Sequence, residues 1–196
     1  MDKRKKDNAV VLSGRNQLAD NLDNLLSLEW HINVEGMSGY VINDLLQYAH
    51  ISDKFLGIIT YAELPPTLQY VRNLPPEFHM IINIGFHFVA FYATPHKLYY
   101  IDSLGHPPPP NSPVERFLVM LQNERNTSLT YNKNRIQSLQ SSHCGLYASL
   151  FVLNYDTPRN RRVNDLSFYV DNSEMLRMND DLCVLYLKSI INARNK

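Results

Sequence analysis

Cys144 stands where the sequence could build a nucleophile. Three polar residues, Ser141-Ser142-His143, precede it and can cap a helix, and a long apolar stretch follows directly. A thiol in the first turn of a helix lies at the positive end of the helix dipole, which favours the thiolate. Gly145 would leave room for a substrate backbone to approach. The alternative role for this segment is a small buried core side chain, the commonest use of a free cysteine.

A thiol nucleophile needs a base, and the base needs a group that orients it. His87 lies in the apolar run 86–91, which is predicted to be a strand, and Asp102 ends the next predicted strand. The turn between them falls near residues 94–96, so cross-strand Cβ atoms at the other ends can lie roughly 5 Å apart. Asp102 can then accept from the imidazole and fix its tautomer. A purely structural His–Asp pair would produce the same pattern.

Acyl transfer also requires hydrogen-bond donors for the oxyanion that develops on the attacked carbonyl. Two side chains upstream of the cysteine are candidates, Gln137 and Gln140. The backbone N–H of Cys144 is the natural second donor. The residues alone leave both glutamines open.

The elements that must position these residues follow from apolar periodicity and from proline and glycine breaks. Strands are predicted at 55–60, 79–84, 86–93, 97–102 and, as an edge strand, 127–131. Helices are predicted from an N-cap at Ser38 to about His50, briefly between the proline pairs 65–66 and 75–76, and over 114–124, 144–155 and 180–193. Strands in the middle with helices at both ends indicate an α+β fold. We expect a central mixed or antiparallel sheet flanked by helices, with Cys144 at the N-terminus of a buried helix.

Composition narrows the class of protein. With 196 residues, 44% of them hydrophobic and 19% charged, the chain can form one domain with a real core, which excludes a mainly disordered protein. Nineteen basic and nineteen acidic side chains argue against a uniformly basic surface. Two cysteines, Cys144 and Cys183, are too few for a disulfide framework or a four-cysteine zinc site. Neither an export signal nor an 18-residue apolar run is evident, which predicts an intracellular chain with no membrane partner.

The order His, Asp, Gln and Cys-Gly resembles the family of adenain, the adenovirus endopeptidase. That family belongs to the clan of cysteine proteases that also contains the SUMO-specific proteases. The resemblance covers roughly residues 38–155 and is carried by the segments 55–57, 87–91, 102–105 and 137–147. It implies an adenain-like fold and four catalytic residues: the nucleophile Cys144, the general base His87, the orienting carboxylate Asp102 and the oxyanion donor Gln137, which it favours over Gln140.

Two positions depart from the family pattern. Adenain usually has Glu at the position of Asp102, and it typically has Trp directly after the histidine, where this chain has Phe88. Activation by a disulfide-linked viral peptide is not expected, because the segment 111–136 contains no cysteine and Cys183 is assigned to the core. The resemblance implies activation by DNA or by a non-covalently bound viral peptide, with no cofactor or metal required. The basic residues available for DNA are Lys3 to Lys6, Arg159, Arg161 and Arg162.

The resemblance implies a viral cysteine endopeptidase that cleaves capsid or core precursor proteins during virion maturation. It would act as a monomer in the host nucleus and the virion. Residues 1–36 are predicted to be an N-terminal extension, a polar tail followed by a short amphipathic helix, and residues 37–196 a single protease domain. A deconjugating protease for a ubiquitin-like modifier shares the catalytic set and is the alternative.

Two further classes fit the residues less well. An intact set of catalytic residues argues against a catalytically dead binding module. A zinc site through His143 and Cys144 lacks the CxxC or HExxH spacing of such sites.

Overall fold

The computed structural model describes residues 38–64, 68–157, 166, 168, 170 and 175–194. All of them belong to one unit, residues 37–196. The predicted N-terminal extension and both basic clusters lie outside the described residues.

The described residues form, in chain order, α1 (Gly39–Tyr48), β1 (Phe55–Thr60), α2 (Leu68–Arg72), β2 (Phe78–Asn83), β3 (Phe88–Ala93), β4 (Lys97–Ile101), α3 (Pro113–Arg125), β5 (Ser128–Tyr131), α4 (Cys144–Asp156) and α5 (Leu176–Arg194). The strands lie in the order β1-β2-β3-β4-β5. The outer pairs β1–β2 and β4–β5 are parallel, and the inner pairs β2–β3 and β3–β4 are antiparallel. The sheet is therefore mixed, and the predicted α+β class with an edge strand near residue 130 is confirmed.

Strand β2 is apolar at nearly every position because both of its faces are covered. Side chains alternate between faces, so Phe78 and Met80 point to one side while His79 and Ile81 point to the other. Helix α3 covers the first face, where Phe117 packs edge-on against Phe91 of β3. Helix α4 packs against β2 and β3 on the second face, where its Tyr155 stacks on Tyr92. The sheet is thus the middle layer of three.

Local signals account for where several elements begin. The Ser38 side chain accepts from the backbone N–H of Val41 at 3.4 Å, which makes Ser38 the predicted N-cap of α1. Helix α4 is buried along most of its length, as its apolar sequence predicts. Cys183 is fully buried in α5, which confirms its assignment to the core. Helix α5 begins at Leu176, four residues before the predicted start.

Two local predictions are wrong. His87 does not lie inside a strand: β3 begins at Phe88, and His87 ends the turn from β2. In that turn Gly85 has a φ of +111°, its N–H donates to Asn83 Oδ1, and the Ile84 N–H donates to the His87 carbonyl. The residue at the N-cap of α4 is His143, and its side chain makes no capping hydrogen bond.

Candidate active site

The structure brings His87 and Asp102 into direct contact at adjacent strand ends. His87 immediately precedes β3, Asp102 immediately follows β4, and these two strands pair antiparallel up to Ala90 and Ile101. The imidazole Nε2 lies 2.7 Å from Asp102 Oδ1. Since a carboxylate can only accept, Nε2 carries the proton and donates it to Asp102. The other ring nitrogen, Nδ1, is thereby left to act as a base.

The thiol of Cys144 is close enough to the His87 ring to affect the pKa of the imidazole. Burial of the ring lowers the pKa of His87, but hydrogen bonds to Asp102 and Cys144 and the negative charge of both partners outweigh it. The pKa of His87 is raised to about 9. The His87 side chain keeps 16% of its surface exposed, whereas Asp102 keeps 1%. The imidazole therefore lies next to both a buried carboxylate and a thiol.

Cys144 is the first residue of α4, and its side chain is 7% exposed. The helix dipole at this position favours an anion. Because His143 does not cap the helix with its side chain, the first-turn N–H groups are not occupied by that residue. Instead the His143 Nδ1 lies 2.7 Å from Ser141 Oγ, so its ring is turned back toward the preceding loop. The start of α4 thus combines a thiol with backbone donors.

A short turn after β4 holds Asp102 in place. The backbone of Asp102 is held on both sides by Asn132, which accepts from its N–H at 2.9 Å and donates to its carbonyl at 2.5 Å. The N–H of Leu104 donates to Asp102 Oδ1 at 2.7 Å. Gly105 has a φ of +75°, and a Cβ atom there would come within 2.8 Å of the Arg135 backbone. Only glycine lets this turn approach the segment that leads to Gln137.

Gln137 is buried beside this turn, with 2% of its surface exposed. Its Nε2 donates to the Ser141 carbonyl at 2.7 Å, and its Oε1 accepts from Ser103 Oγ at 2.5 Å. The preceding residue, Ile136, offers its carbonyl to Asn179 Nδ2 at 2.7 Å and to the Tyr147 hydroxyl at 3.3 Å. Helices α4 and α5 therefore hold the Gln137 segment from the other side.

The structure places Gln137 and Gln140, the two candidate oxyanion donors, in different environments. Gln140 is exposed, and its Oε1 accepts from Arg177 at 2.7 Å, so it belongs to a surface contact with α5. Gln137 instead contacts Ser103, the residue directly after Asp102, through its side chain and its backbone N–H. Its role as an oxyanion donor remains a prediction.

Sequence reasoning missed Ser103 and Asn132. Ser103 directly follows Asp102, and its signal in the sequence is only this position; its burial in the fold requires a partner for the hydroxyl. Asn132 follows the edge strand β5, and its parallel pairing with β4 brings it to Asp102. No local pattern predicts that contact, because it depends on the register of two strands about 30 residues apart.

Neither a metal centre nor a membrane span is found in the part of the chain that the structure describes. No three His, Cys, Asp or Glu side chains there are grouped as metal ligands. None of the helices described has the length and apolar character needed to cross a bilayer.

Sequence comparison finds no matching family model and no matching curated protein. Comparison of structures finds similar backbones. The central domain of the uncharacterized Lpg1148 protein from Legionella pneumophila has a TM-score of 0.48 at 10% identity, covering 83% of this chain and 100% of that domain. The ASFV pS273R protease has a TM-score of 0.45 at 16% identity, covering 76% of this chain and 68% of that protein.

A de-sumoylating protease is also similar, with a TM-score of 0.38 at 13% identity, covering 79% of this chain and 76% of that protein. These likenesses concern the path of the backbone. The chemistry of the site rests on its own residues: a thiol at a helix N-terminus, a histidine beside it, a buried carboxylate behind the histidine and a buried amide nearby.

Proposed function

We propose that this protein is a cysteine endopeptidase with Cys144 as its nucleophile. One observation carries the proposal: the His87 imidazole contacts the Asp102 carboxylate through Nε2, and the Cys144 thiol lies near enough to help raise the pKa of the same ring. This is the arrangement that an activated thiol nucleophile requires, a base within reach and a third group that orients the base.

The reaction starts from a thiolate–imidazolium pair, which forms when the Cys144 thiol transfers its proton to Nδ1 of His87. The thiolate attacks the carbonyl carbon of the scissile peptide bond and forms a C–S bond, while the carbonyl oxygen becomes an oxyanion. Gln137 Nε2–H and the Cys144 backbone N–H donate to that oxygen. Asp102 stabilises the imidazolium formed on His87 and keeps its tautomer fixed.

The tetrahedral intermediate collapses when the C–N bond breaks. The leaving nitrogen takes the proton from His87 Nδ1 and departs as an amine, which leaves a thioester on Cys144. His87 then removes a proton from water, and the resulting hydroxide attacks the thioester carbon. Breakage of the C–S bond releases a carboxylic acid product and restores the thiolate–imidazolium pair.

Replacement of the nucleophile tests this proposal. Cys144→Ala should lower kcat on a cleavable protein substrate on the order of 10⁶-fold, the scale on which removal of a nucleophile acts. Cys183→Ala is the matched control, because it removes the other thiol from a fully buried position on α5. The control should retain activity and labelling by iodoacetamide. Full peptidase activity in Cys144→Ala would rule out the assignment.

For the substrate, we propose precursors of viral structural proteins, cleaved during virion maturation in the host nucleus and the virion. The support is the sequence resemblance to adenain. Deconjugation of a ubiquitin-like modifier is the second candidate, since it uses the same catalytic set. Incubation of the purified chain with the structural proteins of its own virus and, separately, with linear fusions of ubiquitin-like modifiers distinguishes the two by which set is cut.

We propose DNA as a further partner, an activator that binds through basic side chains. Its support is the same resemblance together with the basic residues of the sequence. Binding through phosphates weakens steeply as salt rises. Added duplex DNA should therefore stimulate cleavage at low salt and lose that effect at high salt, and a rate that ignores both DNA and salt would refute this role.

A further inference from the structure

We propose that Ser103 is a positioning residue that, together with the Ser141 carbonyl, holds the orientation of the Gln137 side-chain amide. In that orientation an N–H, and not the amide oxygen, faces the developing oxyanion. The inference rests on the proposed function, because it assigns Ser103 a role in the same acyl-transfer site. It rests on three contacts between Ser103 and the segment that carries Gln137.

The hydrogen bonds around Gln137 allow only one orientation of its amide. The Ser141 carbonyl can only accept a hydrogen bond, so the amide atom 2.7 Å from it must be Nε2. The other amide atom is then Oε1, which lies 2.5 Å from Ser103 Oγ and accepts its hydroxyl proton. A reversed amide would place two acceptor oxygens against each other at Ser141.

A count of hydrogens shows what this orientation provides. The Gln137 Nε2 carries two hydrogens, and one of them is used by the Ser141 carbonyl. The second remains for a substrate oxygen. Ser103 therefore does not touch the reacting atoms. It acts through Gln137 by holding the amide oxygen away from the position where negative charge develops.

Ser103 also fixes the backbone on which Gln137 stands. Its carbonyl accepts from the N–H of Ile136 at 2.9 Å and from the N–H of Gln137 at 3.0 Å. Ser103 and Gln137 are each 2% exposed, so water does not compete for these groups. A buried amide oxygen that loses its donor is costly, and it gains freedom to move.

The position of Ser103 next to Asp102 gives the turn two roles. Asp102 orients the base His87, and the next residue orients the proposed oxyanion donor. The same turn therefore positions both His87 and the proposed donor Gln137. Gly105 allows this turn to lie against residues 134 and 135. A displacement of this turn would disturb both halves of the reaction together.

A double-mutant cycle in the full chain tests the proposal, with Ser103→Ala, Gln137→Ala and the combined variant. Ser103→Ala should lower kcat about tenfold with little change in KM, the scale of one misdirected hydrogen bond. In the Gln137→Ala background the same substitution should have no further effect on kcat. Ser138→Ala, a buried serine on the Gln137 segment, is the matched control and should leave kcat unchanged.

Two readouts separate positioning from a merely structural role and from failure of the proposed function. Alkylation of Cys144 by iodoacetamide forms no oxyanion, so its rate should be the same in wild type and Ser103→Ala. Slow exchange of the Gln137 side-chain amide protons, measured by NMR, should be lost in Ser103→Ala.

Additive losses in the double-mutant cycle, or slower alkylation, would overturn the role of Ser103. So would unchanged amide exchange. A wild-type chain that cleaves nothing would refute the proposed function, and the amide exchange would still decide the role of Ser103.

Discussion

Two histidine–aspartate pairs in this protein have the same chemistry and different environments. His87 and Asp102 lie 2.7 Å apart at one end of the sheet, and the pKa of His87 is raised to about 9. His79 and Asp156 lie 3.4 Å apart on the face beneath α4, with side chains 1% and 3% exposed. Burial lowers the pKa of His79, and the charge of Asp156 does not compensate. The same two residue types therefore hold a proton in one place and exclude it in the other.

The competing partners of each carboxylate explain the difference. Asp156 forms an ion pair with Arg194 at 2.9 Å and also bonds the Ser52 hydroxyl and N–H. Its negative charge is already neutralised, and the Arg194 charge lowers the pKa of His79 further. Asp102 accepts from the neutral Leu104 N–H, while the exposed His106 lies 3.7 Å from its second oxygen. The negative charge of Asp102 is therefore not neutralised by an arginine in the described part of the chain, and it acts on His87.

The two pairs also lie at opposite ends of α4. Cys144 occupies the N-terminus, where an anion is favoured, and Asp156 is the last residue of the helix. Near the C-terminus Arg194 donates to the Leu153 carbonyl at 2.9 Å and to the His50 carbonyl at 3.2 Å. The N-terminus of the helix carries the thiol, and the C-terminal end is covered by the partly buried Arg194 side chain.

The largest expected contrast comes from the same substitution in both pairs. Asp102→Asn should lower kcat by about 10²- to 10⁴-fold, because the imidazole loses the carboxylate that fixes its tautomer and stabilises its charge. Asp156→Asn should leave kcat per folded molecule unchanged. Steady-state kinetics of both variants, corrected for the folded fraction, measure this difference. Equal losses of kcat would contradict it.

For the free energy of unfolding, the Asp156 carboxylate should matter more than it does for kcat. Asp156→Ala leaves Arg194, 13% exposed, as a largely shielded cation without its carboxylate. Removal of one partner from a buried pair costs about 3–5 kcal/mol of the free energy of unfolding. Urea denaturation of this variant beside Asp53→Ala, an exposed aspartate close by, provides the measurement. A loss no larger than that of the control would mean that Arg194 is solvated in solution.

The pH dependence of activity is the next test of the difference between the two histidine–aspartate pairs. The raised pKa of His87 keeps the imidazolium beside Cys144 up to about pH 9, so kcat/KM should fall above that pH by about tenfold per unit. The charged His87 also contributes stability that is complete below its ordinary pKa of 6.5 and is lost as pH rises through about 9. A basic limb of kcat/KM near pH 7 would contradict the assigned contacts.

Protonation of His79 should lower the stability of the fold, whereas protonation of His87 raises it. We expect the effect of His79 to be the smallest of the effects predicted here. Its lowered pKa keeps it neutral in the fold, so stability falls as pH drops below 6.5 and the unfolded chain takes up a proton. Phe55 and Tyr92 flank its ring at 5.8 and 6.1 Å, so His79→Phe should pack with a change below about 1.5 kcal/mol. Thermal unfolding at pH 5 and pH 8 should then show a smaller difference than wild type.

Local patterns predict much of this fold because they depend on neighbours in sequence. The predicted hairpin places His87 near Asp102, because the pairing of β3 with β4 determines which strand ends meet. This holds even though His87 lies in a turn and not in β3. The helix that starts at Cys144 follows from its apolar run and the polar residues before it. Ser38 is recognisable as an N-cap for the same reason.

Other features could not be predicted because they arise where distant segments meet. Asn132 reaches Asp102 only through the parallel pairing of β5 with β4. Asp156 and His79 come together only when α4 lies on the sheet, so nothing local separates this pair from His87 and Asp102. Ser103 is an ordinary turn residue until Gln137 is folded against it.

The parallel pairing of β4 with β5 has a consequence for the order in which the chain matures. His87 and Asp102 belong to one hairpin, whose closure needs only a short loop and is fast. Parallel strands need a crossover, here through α3, and such long-range closures are slow. Gln137 and Cys144 follow that crossover in sequence. A growing chain that ends before residue 144 therefore carries His87 and Asp102 without the thiol, so the proposed nucleophile is the last of the four site residues to be synthesised.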